Sequence, residues 1–147
     1  MNVLNFELVP RTSWCDNVRT QVKPKVWDAI RKDVYAEYGH KCGICSRKTR
    51  LEAHEIWDYD DSIGAQVLRG MIALCPMCHR CKHIGLTEVL ATQGKLKIDS
   101  IVAHYCRVNK CDKPTFMKDR NAAFELWAER SKRSWEVDIS YIAHKYS

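Results

Sequence analysis

Two Cys-x-x-Cys pairs, Cys42/Cys45 and Cys75/Cys78, constrain this chain more than any other feature of its sequence. Zinc in a structural site takes four tetrahedral ligands and prefers thiolates, so two such pairs supply a complete set. The 29 residues between Cys45 and Cys75 are enough for a hairpin that returns the second pair to the first. A disulfide framework is the competing use of an even cysteine count, but it belongs to exported chains. Met1 to Pro10 has neither a basic start nor a cleavage pattern, and no apolar run approaches the ~20 residues of a membrane span. The expectation is therefore a cytoplasmic protein, away from membranes, with a zinc site at Cys42, Cys45, Cys75 and Cys78. Cys15, Cys81, Cys106 and Cys111 fit no pair and read as free thiols. Cys81 stands three residues after Cys78, within one helical turn, and is a conceivable substitute ligand.

The elements around the pairs read as α+β. Met1 to Val22 lacks a period and is expected to be an extended arm. Lys23 to Tyr38 carries Ile30, Val34 and Tyr38 at helical spacing, with Pro24 at the start and Gly39 at the stop. Each pair is a knuckle, the first turning at Gly43. Leu51 to Trp57 reads as a strand, Asp58 to Gly64 as a loop and Val67 to Leu74 as the returning strand. A helix is expected from His79. Three more helices are expected beyond Gly85: from Thr87 to Gly94, through Ile101 to Tyr105, and from a Thr115 cap through Trp127. Trp135 to Ile139 alternates as a strand does. The 147 residues make one domain, 1–147. Within it the arm and first helix occupy 1–41, the zinc-knuckle core 42–83, and a helical extension 84–147.

Three histidines stand among the knuckles. His79 and His83 are four residues apart, so a helix brings both rings to one face. His79 follows Cys78 directly, and helical neighbours diverge by about 100°. Cys78 can then face one ion while His79 faces another. His54 lies on the hairpin that must pack beside that helix. Three imidazoles with open positions make a catalytic type of metal site, suited to Mg, Mn or Zn.

The run Cys42-x-x-Cys45, Leu51-Glu52-Ala53-His54-Glu55-Ile56, then Ala73-Leu74-Cys75-x-x-Cys78-His79-x-x-x-His83 resembles the zinc-knuckle branch of the HNH endonucleases. The resemblance covers residues 42–83. It implies a ββα-metal core, with additional helices outside it. It also implies a nuclease that hydrolyses DNA phosphodiester bonds in a bacterial or phage-infected cytoplasm. His54, His79 and His83 become metal ligands, and the family's general base falls just after His54. That position is Glu55, and the family's central asparagine falls at Gly70. Glu55 then acts as the base beside His54, or helps orient the metal, or marks a catalytically silent module that binds DNA or a protein. Gln66 is a candidate stand-in for the missing amide. Asp58, Asp60 and Asp61 form a turn or a site for a hard cation.

The net charge is +6, a mild bias toward a polyanionic partner. Arg47, Lys48 and Arg50 after the first knuckle, with Arg80 and Lys82 on the expected site helix, are the candidate phosphate contacts. Arg130, Lys132 and Arg133 read as solvated surface. No base-reading motif is visible.

Overall fold

The computed structural model describes residues 3–146; Met1, Asn2 and Ser147, part of the expected arm and domain, lie outside it. The fold is α+β. Among the described residues it has a three-stranded mixed sheet, β1 (Glu52–Asp60), β2 (Ala65–Leu74) and β3 (Glu136–Asp138). Seven α-helices accompany it: α1 (Val18–Gln21), α2 (Pro24–Glu37), α3 (Pro76–Lys82), α4 (Ile84–Thr92), α5 (Ile98–Asn109), α6 (Lys113–Arg130) and α7 (Ser140–Tyr146). None of these is long and apolar enough to cross a membrane.

The hairpin β1–β2 is antiparallel, with His54 opposite Ile72 and Glu55 opposite Met71. Its strands run further than the sequence suggests. β1 extends to Asp60 because Asp60 closes a tight turn: its carboxylate accepts from Ser62 N–H at 3.0 Å, and Gly64 donates to its carbonyl at 2.9 Å. Gly64 supplies the left-handed backbone this closure needs, with φ +71. The acidic run is thus a turn. Asp61 is tied to Arg130, whose guanidinium also stacks 4.2 Å over Tyr59. The expected solvated role of Arg130 gives way to a clamp between α6 and the hairpin tip. The register shifts between Ile56, paired with Gly70, and Trp57, paired with Leu68, which leaves Arg69 as the bulged residue.

Strand alternation sends β2 into two cores. Leu68, Met71 and Ala73 join Ile30 and Val34 of α2 and Ile142 of α7. Leu74 and Ile72 join Cys75, Cys78, Cys81, Ile84, Ile101, Tyr105 and Phe116 beneath α3, α5 and α6. The helix starts follow capping chemistry rather than the residues first expected. α6 begins earlier than Thr115, because Asp112 accepts from Thr115 N–H at 3.0 Å and Pro114 fits the first turn. Such a cap contributes roughly 1 kcal/mol. α3 begins at Pro76, not His79, with Cys75 as its cap. The expected arm also contains α1, whose cap is Asn17 accepting from Thr20 N–H at 3.0 Å. β3 pairs with β2 in parallel, Gln66 opposite Val137, and α7 after it was not foreseen.

Candidate metal centre

The two knuckles meet at the base of the hairpin. Gly43 N–H donates to Ala73 O at 2.8 Å, which locks the first knuckle onto β2 beside the second. The first knuckle's glycine serves close approach: a Cβ there would stand 2.8 Å from both Ile72 and Tyr38. The knuckle expected to turn at Gly43 has its left-handed residue at Ser46, with φ 65. The ligand atoms of Cys42, Cys45, Cys75 and Cys78 all lie within 4.8 Å of one another. Cys45 and Cys75 sulfurs are 3.7 Å apart. That is far beyond a disulfide bond. It matches the roughly 3.8 Å edge of a tetrahedron with zinc–sulfur bonds of ~2.3 Å.

The electrostatics of the cluster favour a cation among the sulfurs. Hydrogen bonds from Cys75 and Cys78 pull the Cys42 thiol far below its usual range. The same contacts work against their partners: Cys75 is pushed up to about 11 and Cys78 well beyond the ordinary thiol range. The Cys42 thiolate forms readily, while Cys75 and Cys78 resist ionisation. Four become thiolates together only around a positive ion. His104 of α5, which no sequence pattern singled out, completes the shell. Its Nε2 lies 3.2 Å from Cys78 Sγ, and its Nδ1 faces Arg107 at 3.4 Å. With Nδ1 accepting from Arg107, Nε2 carries the hydrogen toward sulfur. Cys81 stays outside the cluster and points at Ile101 O in the core.

The second set also converges. His54, His79 and His83 offer ligand atoms within 4.8 Å of one another. Their ring centroids form a triangle of 5.3, 4.9 and 4.8 Å. His83 ends α3, yet its N–H still donates to His79 O at 3.1 Å, so the expected one-turn relation holds. Two carboxylates aim the rings. Glu7 Oε2 accepts from His54 Nε2 at 2.8 Å, and Glu52 Oε1 accepts from His79 Nδ1 at 3.0 Å. Nδ1 of His54 and Nδ1 of His83 are buried and have no protein partner. A carboxylate behind an imidazole, with the other nitrogen left over, is the arrangement of metal-ligating histidines. Burial, with the neighbouring imidazoles, lowers His83 to about 3, and burial lowers His79 as well. Both rings are therefore neutral near pH 7, the form that ligates metal. These residues fit a divalent cation, with nitrogens drawn to roughly 3.4 Å for a tetrahedral zinc.

Glu7 is itself held by a buried ammonium. Burial opposes its ionisation, but the hydrogen bonds from His54 and Lys82 and the Lys82 charge outweigh it and set the carboxyl at about 2. Lys82 donates to Glu7 at 2.9 Å and to Asn5, and only 7% of its side chain is exposed. The expectation that Lys82 contacts phosphate fails on this burial: its charge points inward, into the arm. Arg47, Lys48, Arg50 and Arg80 are exposed as expected, with Arg50 3.6 Å from Glu52.

Glu55 neighbours the set from another direction. Alternation along β1 turns it away from Glu52 and His54, and Oε1 accepts from Val18 N–H at 3.3 Å. It still lines a cavity shared with His54 and His83, and a second shared with His79 and His83. Its charge reaches His79, where it opposes the lowering. At Gly70 the space where a side chain would project is open. Gln66 is wholly buried on β2 rather than in the loop. Glu52 was legible, two residues from His54 on the same strand face; Glu7, 47 residues away, was not.

No protein-family model, curated protein or solved structure matches this chain. The site's own geometry therefore carries the functional reading.

Proposed function

We propose that the chain is a metal-dependent nuclease of HNH type, with zinc on the four cysteines and a second divalent cation on His54, His79 and His83. The reading rests on one observation: three imidazoles, two of them aimed by carboxylates, converge beside cavities that also expose Glu55. A cation bound there supplies charge neutralisation to a scissile phosphate and its leaving oxygen. His54 and His79 present fixed nitrogens because Glu7 and Glu52 hold their other edges. Glu55 is the group placed to accept a proton from an attacking water. Val18 N–H engages one of its oxygens and steadies it. Arg47, Lys48, Arg50 and Arg80 are exposed and offer positive charge to a nucleic acid backbone.

A second reading is a silent zinc module that binds DNA or a protein. Gly70 and the Val18–Glu55 contact favour it, since a carboxylate occupied by a backbone amide is a weaker base. A plasmid-nicking assay with Mg²⁺, Mn²⁺ or Zn²⁺ separates the two. The parent is expected to nick. His54→Ala and His83→Ala should abolish nicking, and Glu55→Ala should slow it by about 10²–10⁴-fold. No nicking, or nicking untouched by all three changes, overturns the nuclease.

A further inference from the structure

α5 ends on a left-handed residue that is not glycine. Lys110 has φ 53 and ψ 49, and its N–H donates to Cys106 O. The next amide, that of Cys111, reaches the same carbonyl at 3.0 Å. Such a closure folds the chain back over the last helical turn and sets side chains five positions apart against each other. Here both are cysteines. The 3.0 Å bond between the amide of one and the carbonyl of the other keeps their Cα atoms within about 7 Å, the limit of what a disulfide bridges. Both side chains are half-buried against the core of Tyr105 and Phe116, so a small reagent can reach them.

The two sulfurs sense each other. Burial raises the Cys111 thiol above its ordinary range, and the charge and hydrogen bond of Cys106 raise it further. The other cysteines are differently placed. Cys42, Cys45, Cys75 and Cys78 form the zinc cluster, Cys81 is wholly buried against Ile101 O, and Cys15 lies exposed on the arm.

We infer that Cys106 and Cys111 are a dithiol modification site, converted to an intrachain disulfide by a low-molecular-weight disulfide such as oxidised glutathione. The Cys106 thiolate attacks one glutathione sulfur. The sulfur–sulfur bond of glutathione breaks, and one glutathione leaves as a thiolate. Cys111, deprotonated in turn, attacks the Cys106 sulfur of the mixed disulfide and expels the second glutathione. Two protons and two electrons pass from the chain to the oxidant, giving one protein disulfide and two reduced glutathiones. Cys106 goes first because Cys111 ionises reluctantly, and the mixed disulfide then removes the Cys106 charge that opposed it. In a reducing compartment the pair rests as the dithiol. The bond fixes the turn between α5, which holds His104 against Cys78 and Asn109 against the arm, and Asp112, the cap of α6. Neither thiol belongs to a candidate metal set, so this chemistry is independent of the nuclease reading.

The test equilibrates the zinc-loaded full chain in glutathione buffers of rising oxidised share, blocks free thiols with N-ethylmaleimide and maps tryptic peptides by mass. Trypsin cuts after Arg107 and Lys110, between the two cysteines, so the link appears as two joined peptides. Cys106 and Cys111 are expected to lose their maleimide adducts together and appear joined, with zinc content unchanged, and reduced glutathione should reverse this. Cys111→Ser keeps the size and removes the second nucleophile. It should instead hold one glutathione on Cys106, and its unchanged zinc content shows that it folds. Maleimide on both thiols throughout the series overturns the inference. So does zinc loss before the link forms, a link from either thiol to another cysteine, or an unmodified Cys106 in Cys111→Ser.

Discussion

Glu7 Oε2 lies 2.8 Å from His54 Nε2, although 47 residues separate the two. The N-terminal arm thus reaches under the imidazole cluster and fixes the orientation of one of its rings. Glu7→Gln keeps the shape and removes the charge. It is expected to weaken metal binding at the histidines by about 10–100-fold, read by calorimetric titration of Mn²⁺ or Zn²⁺. Lys82→Met leaves the Glu7–His54 contact in place and should change that affinity far less. Equal losses in both variants would mean that the arm acts only by packing.

The two candidate metal sites share α3 but not their ligands, so stoichiometry separates them. The parent should bind two zinc ions per chain. His83→Ala should bind one and retain its melting temperature. Cys75→Ser should lose the structural zinc and about 5 kcal/mol or more of stability, which at this chain length lowers the melting temperature by roughly 10–20 °C. Metal analysis and thermal melts check both. A stable, fully folded Cys75→Ser protein would contradict the structural assignment.

His104 holds Cys78 Sγ from outside the ligand set, at 3.2 Å. Removing that donor with His104→Ala should speed zinc release to a chromogenic chelator by about tenfold, without altering the metal count at equilibrium. An unchanged release rate would reduce His104 to a packing residue.

Gly43 tests the junction of the knuckles. Gly43→Ala places a methyl 2.8 Å from Ile72 and Tyr38, so neighbours must move. A cost of about 1–3 kcal/mol is expected in denaturant melts. Gly70→Ala, on β2, meets open space and should cost far less.

The parts of this molecule legible in its sequence are those whose signal is local. The cysteine spacing announced the cluster, and the four-residue step from His79 to His83 survived because their helical hydrogen bond persists. Glu52 and His54 share a strand face by simple alternation. The failures are equally physical. Lys82 looked like a surface cation because a sequence does not show that Asn5 and Glu7 close over it. β1 outran its expected end because Asp60 and Gly64 close a turn that a run of acidic residues conceals. His104 and Glu7 reach their sites from distant elements, and no periodicity encodes such a meeting. Gln66 was noticed for its amide, but its depth and its bond to Ser13 come only from the packing of the arm on β2.

The arm also carries a consequence for how much of the chain the site needs. Its backbone donates to Lys82 O, its Glu7 meets His54, and its Leu4 amide meets Asn109. Seating this arm completely therefore requires residues as far along the chain as Asn109 to be present. The aim of His54 thus depends on a segment outside residues 42–83, the stretch that carries all seven candidate ligands.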